Sequence, residues 1–165
     1  MSFASLTSLD FRRALGHFAT GVTVVTVENT PRNVHGMTAN SFTSVSLDPP
    51  LVSVCVDQNA HLLPLLKKRG KFGINVLKED QQNLSEFFSR PEQSKREEED
   101  LKVEFTWNSD GIPLMKNVLC QISCRRYAAH PAGDHTIIVG EVLSASLYVG
   151  QPLLFFRGQY TRLIP

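Results

Sequence analysis

Two runs rich in β-branched residues, Gly-Val-Thr-Val-Val-Thr-Val at residues 21–27 and Leu-Val-Ser-Val-Cys-Val at 51–56, constrain this chain most. Side chains branched at Cβ lose rotamer freedom in a helix and pack well on a pleated surface, so both runs are expected as strands. Turn formers bound each of them. Residues 29–33, with Pro31, form a turn, and 34–43 is expected to return antiparallel to the first strand. Asp48-Pro49-Pro50 ends that excursion, because two prolines remove two donors and hold Asp48 extended. A further strand is read at 72–77. The C-terminal third reads as a meander: 103–107, a turn at 108–111, then 119–127, 136–143 and 153–160, with 128–133 as a hairpin-like loop and Gly133-Asp134 as a turn signal.

Helical spacing is confined to short segments. Phe11, Leu15 and Phe18 recur at i, i+4 and i+7 within residues 9–18, with Ser8 as N-cap. Asn59 caps a second helix through Leu66, expected short or bent because Pro64 sits inside it. A third, at 78–89, carries Leu84, Phe87 and Phe88 on one face. About six strands with two or three helices, and no regular βαβ alternation, exclude a Rossmann arrangement. The expected fold is mainly β, a closed antiparallel barrel with flanking helices.

Length makes residues 1–165 a single domain. The net charge of +1 leaves no global footprint for nucleic acid or an anionic membrane, and no stretch nears the roughly 18 apolar residues of a span. The first 13 residues lack a leader pattern. Three cysteines, Cys55, Cys120 and Cys124, lie in apolar runs as reduced thiols do, and their spacing argues against a metal. A cytoplasmic protein is expected.

Thr38, Asn40, Ser41, Thr43, Ser44 and Ser46 crowd short hydroxyl and amide groups ahead of the double proline. Such donors suit a segment wrapping a polar, phosphate-bearing ligand, and equally suit a Ser/Thr-rich surface loop. Lys67, Lys68, Arg69 and Lys71 form a basic cluster, of which Lys71, entering a strand, is the candidate phosphate contact. Residues 90–102 are almost wholly charged or polar and read as a solvated loop or exposed helix. No G-x-S-x-G elbow or activated nucleophile is apparent, and Asp134 and His135, adjacent in a strand, are expected to point apart. A cofactor is left as the source of chemistry.

His-Gly-Met-Thr-Ala-Asn-Ser-Phe-Thr-Ser-Val-Ser-Leu-Asp-Pro-Pro-Leu-Val at 35–52 resembles the flavin-binding segment of the short-chain flavin reductases, the reductase partners of two-component flavin monooxygenases. Residues 11–26, 71–88, 132–142 and 152–160 resemble further segments of that family, in its order. The resemblance implies a split β-barrel homodimer that passes a hydride from NADH or NADPH to FMN or FAD and supplies a monooxygenase. It puts Met37, Thr38, Ala39 and Asn40 against the isoalloxazine, and Ser41, Phe42, Thr43 and Ser44 along the ribityl and phosphate. Val56, Asp57 and Lys71 come nearby, and Phe88 covers a flavin or adenine ring. His135 contacts the nicotinamide dinucleotide, and Tyr160 lies on the nicotinamide side, with Arg157 serving solubility or the dimer. Ser89-Arg90-Pro91 departs from the small turn of many relatives, which bears on FAD more than on FMN. Two other readings are a pyridoxamine-phosphate-type flavin oxidase, which needs a basic phosphate clamp such as Arg125-Arg126, and a non-catalytic flavin- or haem-binding module involving His17 or His35.

Overall fold

The computed structural model describes residues 6–163; the leader reading at residues 1–5 lies outside them. In chain order the elements are α1 (Ser8–Leu15), β1 (Thr20–Gly21), β2 (Thr23–Thr30), β3 (Asn33–Ala39), β4 (Thr43–Leu47), β5 (Pro50–Asp57), α2 (Leu62–Arg69), β6 (Lys71–Val76), α3 (Gln82–Phe88), α4 (Lys95–Asp100), β7 (Phe105–Trp107), β8 (Pro113–Met115), β9 (Cys120–Ala132), β10 (His135–Leu147), β11 (Leu154–Phe156) and β12 (Gln159–Thr161). Seven strands form one antiparallel sheet in the order β3-β2-β6-β9-β10-β5-β4. β1, β11 and β12 form a second, and β7 and β8 a small third.

The large sheet curls but does not close by backbone pairing. Just past the end of β3, Ser41 reaches across to β5: the Cys55 N–H donates to Ser41 Oγ at 3.0 Å, and the hydroxyl donates to the Cys55 carbonyl at 3.2 Å. The barrel is therefore split along this seam, with one side chain standing in for a ladder.

β2 separates two cores, which explains why its sequence runs hydrophobic without alternating: strands covered on both faces need apolar side chains on both. Val25 and Val27 face the barrel interior with Val52, Val54 and Phe72, where α2 contributes Leu62 and Leu66. Val22 and Val24 face the other way, against Phe87 and Phe88 of α3 and Met115 of β8. Each fully buried side chain of this size contributes roughly 1.5–3 kcal/mol. β5, by contrast, alternates, with Val52, Val54 and Val56 inward.

Local chemistry revises several expectations. Thr7, not Ser8, caps α1, its hydroxyl accepting from the Asp10 N–H at 3.2 Å. The apolar face of that helix has no buried residue, and Phe18 beyond it is 76% exposed. α2 starts at Leu62, later than expected, so Pro64 falls in the first turn, where its missing N–H has no intrahelical partner to lose. Lys67, Lys68 and Arg69 of the basic cluster end that helix, where their charge complements the carbonyl end. The expected loop at 128–133 is strand: β9 and β10 run on to a turn of Gly133 and Asp134, Gly133 taking φ 61°. The expected strand at 153–160 is instead a hairpin, broken at Arg157-Gly158. β8 was hidden by its three-residue length and its leading proline.

Candidate functional site

β3 is an edge strand, and the free edge lines a cleft of about 530 Å³. Gln93, from the loop after α3, donates its Nε2 to the Gly36 carbonyl at 2.8 Å, so Gly36 points its backbone away from β2. Antiparallel ladders alternate, which leaves the Thr38 N–H and carbonyl on the same open side. A planar heterocycle with donors and acceptors along one edge matches such a strand. Phe88 forms a wall directly over Gly36, where a Cβ would come within 2.5 Å of its ring. The Thr38 hydroxyl donates to the Ser85 carbonyl at 2.7 Å, which ties β3 to α3.

The opposite wall comes from the ends of β5 and β10, where His135 stands opposite Asp57. Gln58 holds that corner, donating its backbone N–H to the Asp134 carbonyl at 2.9 Å and its Nε2 to the Gly133 carbonyl at 2.8 Å. Asp134 and His135 do not point apart: the turn at Gly133-Asp134 folds the carboxylate back, so that His135 Nδ1 donates to Asp134 Oδ1 at 2.7 Å. The hydrogen bond from His135, and then its charge, hold the Asp134 carboxyl below the usual range. With Nδ1 so engaged, Nε2 is the ring nitrogen left for a ligand.

At the α2 side, the Asp57 carboxylate accepts from the Asn59 N–H at 2.7 Å and shapes the turn into the helix. His61 then stacks on His35 of β3, ring centroids 6.2 Å apart. Burial, and secondarily the charge of His61, lower the pKa of His35. At the α3 side, Arg90 lies over the Phe87 ring at 5.4 Å and pairs with Glu97.

Eight of the sequence-derived candidates line this cleft: Met37, Thr38, Ala39, Asn40 and Ser41 from β3 and its continuation, with Asp57, Phe88 and His135. Six lie elsewhere in the chain. Phe42 packs on the barrel core, and Val56 points into it by strand alternation. Thr43 and Ser44 are exposed on β4. Lys71 extends its ammonium to Asp110, 3.1 Å from the carbonyl and 3.4 Å from the carboxylate, away from the cleft. Tyr160 meets Ser85, Oη to Oγ at 2.8 Å, on the core side of α3. Sequence reasoning did not place Cys55, Asn59, His61 and Gln93 in the cleft, and it named His35 only for the non-catalytic reading and Arg90 only as part of an atypical turn. Strand alternation from Met37 would have found His35, whereas Arg90 and Gln93 depend on where α3 ends against β3.

The clamp needed by an oxidase of the pyridoxamine-phosphate type is absent from the tandem arginines. Arg125 pairs with Glu141 at 2.8 Å, and Arg126 donates to the Lys67 carbonyl at 2.8 Å.

The family described as flavin reductase like domain matches residues 15–163. An FMN reductase (NADH) from Agrobacterium fabrum is 48% identical over 155 residues, 94% of this chain and 86% of the relative. The reductase component of a 4-hydroxyphenylacetate 3-monooxygenase from Thermus thermophilus is 39% identical, over 93% of this chain and 95% of its own. Among solved structures, an NADH:FAD oxidoreductase from Streptomyces globisporus, in complex with NAD and FAD fragments, superposes with a TM-score of 0.86 at 35% identity, covering 98% of each chain. The chain belongs to the flavin reductase like domain family.

Proposed function

We propose that this protein is an NADH-dependent flavin reductase that supplies reduced flavin to a partner monooxygenase. The observation that carries the reading is the free edge of β3 facing His135 across a single cleft, in a chain whose relatives are NADH:flavin reductases. A bound flavin supplies the hydride-accepting ring nitrogen, and NADH supplies the hydride from its nicotinamide C4.

The protein's part is binding and orientation. The Thr38 and Asn40 backbone groups receive the polar edge of the ring, and donors aimed there stabilise the negative charge that reduction develops. Ser41 fixes this segment to β5, so the donors stay in place without reorganisation. Phe88 covers the ring and excludes water. His135, oriented by Asp134, holds the nicotinamide side and need not transfer a proton. Met37, Ala39 and Asp57 complete the walls, while Phe42, Thr43, Ser44, Val56, Lys71 and Tyr160 support the fold around them.

A homodimer is part of the same reading. Leu47 is 95% exposed and Val149 96%, and the apolar face of α1 is bare, more than a lone chain leaves to water. Free Cys55, Cys120 and Cys124 suit a cytoplasmic setting, and among the described residues no helix is long and apolar enough to cross a membrane.

His135→Ala tests the assignment. The expected result is a KM for NADH raised about ten-fold, the loss of one charge-assisted contact, with flavin affinity unchanged. Unchanged NADH kinetics, or an equal loss of flavin affinity, would place the nicotinamide elsewhere.

A further inference from the structure

We propose that Gln93 is a register stop on the free edge of β3: by occupying the Gly36 carbonyl it confines a bound flavin to the backbone groups of Thr38. The proposal rests on the reductase reading for the identity of the ring.

An open strand edge offers the same two groups, one N–H and one carbonyl, at every second residue, a repeat of about 7 Å. On β3 the repeat falls at Gly36 and Thr38, which stand opposite Thr26 and Val24 of β2 and turn their own backbone groups toward the cleft. A planar ring with donors and acceptors along one edge matches both places equally. Glycine at position 36 adds no side chain to obstruct the displaced one.

Gln93 removes that second place. Its Nε2 donates to the Gly36 carbonyl at 2.8 Å and to the Arg90 carbonyl at 3.2 Å, so both amide hydrogens are used and two acceptors fix the orientation of the side chain. Gln93 is half-buried, whereas every other residue from 89 to 96 is exposed. The segment that carries it is anchored on both sides. The Ser89 hydroxyl donates to the Glu86 carbonyl at 2.8 Å, closing α3, while Arg90 lies over Phe87 and pairs with Glu97 of α4. A loop that served only to blunt an exposed edge would cover Thr38 as well. This one stops a repeat short and leaves Thr38 lining the cleft.

The stop matters because hydride transfer needs its reacting atoms about 3–3.5 Å apart. A ring displaced by one repeat, about 7 Å, would stay bound on an equivalent edge and lie out of reach of a nicotinamide held at His135. Gln93 is a positioning residue in this sense, acting on the flavin through the strand edge.

Gln93→Ala clears the Gly36 carbonyl, and Gln93→Glu keeps the length of the side chain without its donor. Both changes fall in an exposed segment, so the melting temperature should stay near that of wild type. Because the two registers offer the same backbone groups, about half of the bound flavin should take the displaced one. Two placements sum, so FMN should bind about two-fold tighter by fluorescence titration, while half of the fast reduction by NADH is lost, as amplitude or as rate. Hydrogen exchange followed by NMR reads the register without turnover. In wild type, FMN should slow exchange of the Thr38 N–H strongly and spare that of Gly36; in the variants each should be slowed only about two-fold. Weaker FMN binding in the variants, unchanged reduction, or protection of the Gly36 N–H already in wild type overturns the proposal. Wild type that protects the Thr38 N–H with FMN, yet is not reduced by NADH, counts against the reductase reading and leaves the stop in place.

Discussion

Gly36→Ala probes the junction between fold and site. A methyl at position 36 would sit 2.5 Å and 2.7 Å from Cδ1 and Cε1 of Phe88, and 3.2 Å from Cγ1 of Val24. Ordinary contact begins near 3.4 Å, so about 1 Å of movement is demanded of a ring that is only 2% exposed. Phe87, in edge contact at a centroid distance of 4.8 Å, blocks one direction, and Phe88 itself lines the cleft. Overpacking of this kind costs roughly 1–3 kcal/mol. At about 2–4 °C per kcal/mol for a chain of this size, the melting temperature should fall by roughly 2–12 °C. The displaced ring also occupies ligand space, and 1–2 kcal/mol of lost binding is about five- to thirty-fold in flavin affinity. Gly140→Ala is the control: its methyl would meet Phe72 Cζ at 2.6 Å and Cys124 Cβ at 3.1 Å, remote from the cleft. Circular dichroism melts and flavin fluorescence titrations read both effects. Both variants should melt early and only Gly36→Ala should bind flavin weakly. Wild-type behaviour of Gly36→Ala, or equal loss of flavin affinity in Gly140→Ala, would refute the reasoning.

Three other outcomes are expected. Ser41→Ala removes the seam between the end of β3 and β5 and leaves the Cys55 N–H without its partner, costing roughly 1–3 kcal/mol in a chemical denaturation and weakening flavin binding. Lys71→Ala should leave flavin affinity unchanged, since its ammonium is committed to Asp110; a large loss by titration would return Lys71 to the site. His35 has a pKa lowered below 6.5 in the fold, so the unfolded chain takes up its proton first, and stability should fall as pH drops from about 6.5 through the folded value. His35→Gln should flatten that part of the stability–pH curve, and an unaltered curve would assign the effect to other groups.

How much of this was legible depended on range. The runs at 21–27 and 51–56 announced their strands through β-branched density, and β2 even shows in sequence that both its faces are covered. The segment 37–41 stood out as a candidate because it is contiguous, and the structure lays all five residues along one cleft. What sequence could not supply was the third dimension of that segment. Val56 sits between cleft-lining Cys55 and Asp57 and points the other way, since alternation sends successive strand side chains to opposite faces, and Phe42, in the connection after β3, turns onto the barrel core. Lys71 looked like a phosphate ligand because nothing in the chain betrays Asp110, far away in sequence, as its partner. The Asp134–His135 pair was misjudged for a different reason, the strand rule having been applied at a turn. Gln93 drew no notice in a run of polar residues, because its bond to Gly36 exists only once the loop after α3 meets β3.

The most direct test of the central claim is anaerobic mixing of the purified protein with NADH and flavin, following NADH absorbance and flavin colour together. The account predicts that NADH is consumed in equal amount to the flavin bleached, that the rate depends on added protein, and that oxygen restores the flavin. Flavin that binds in the cleft but stays oxidised in the presence of NADH would contradict it.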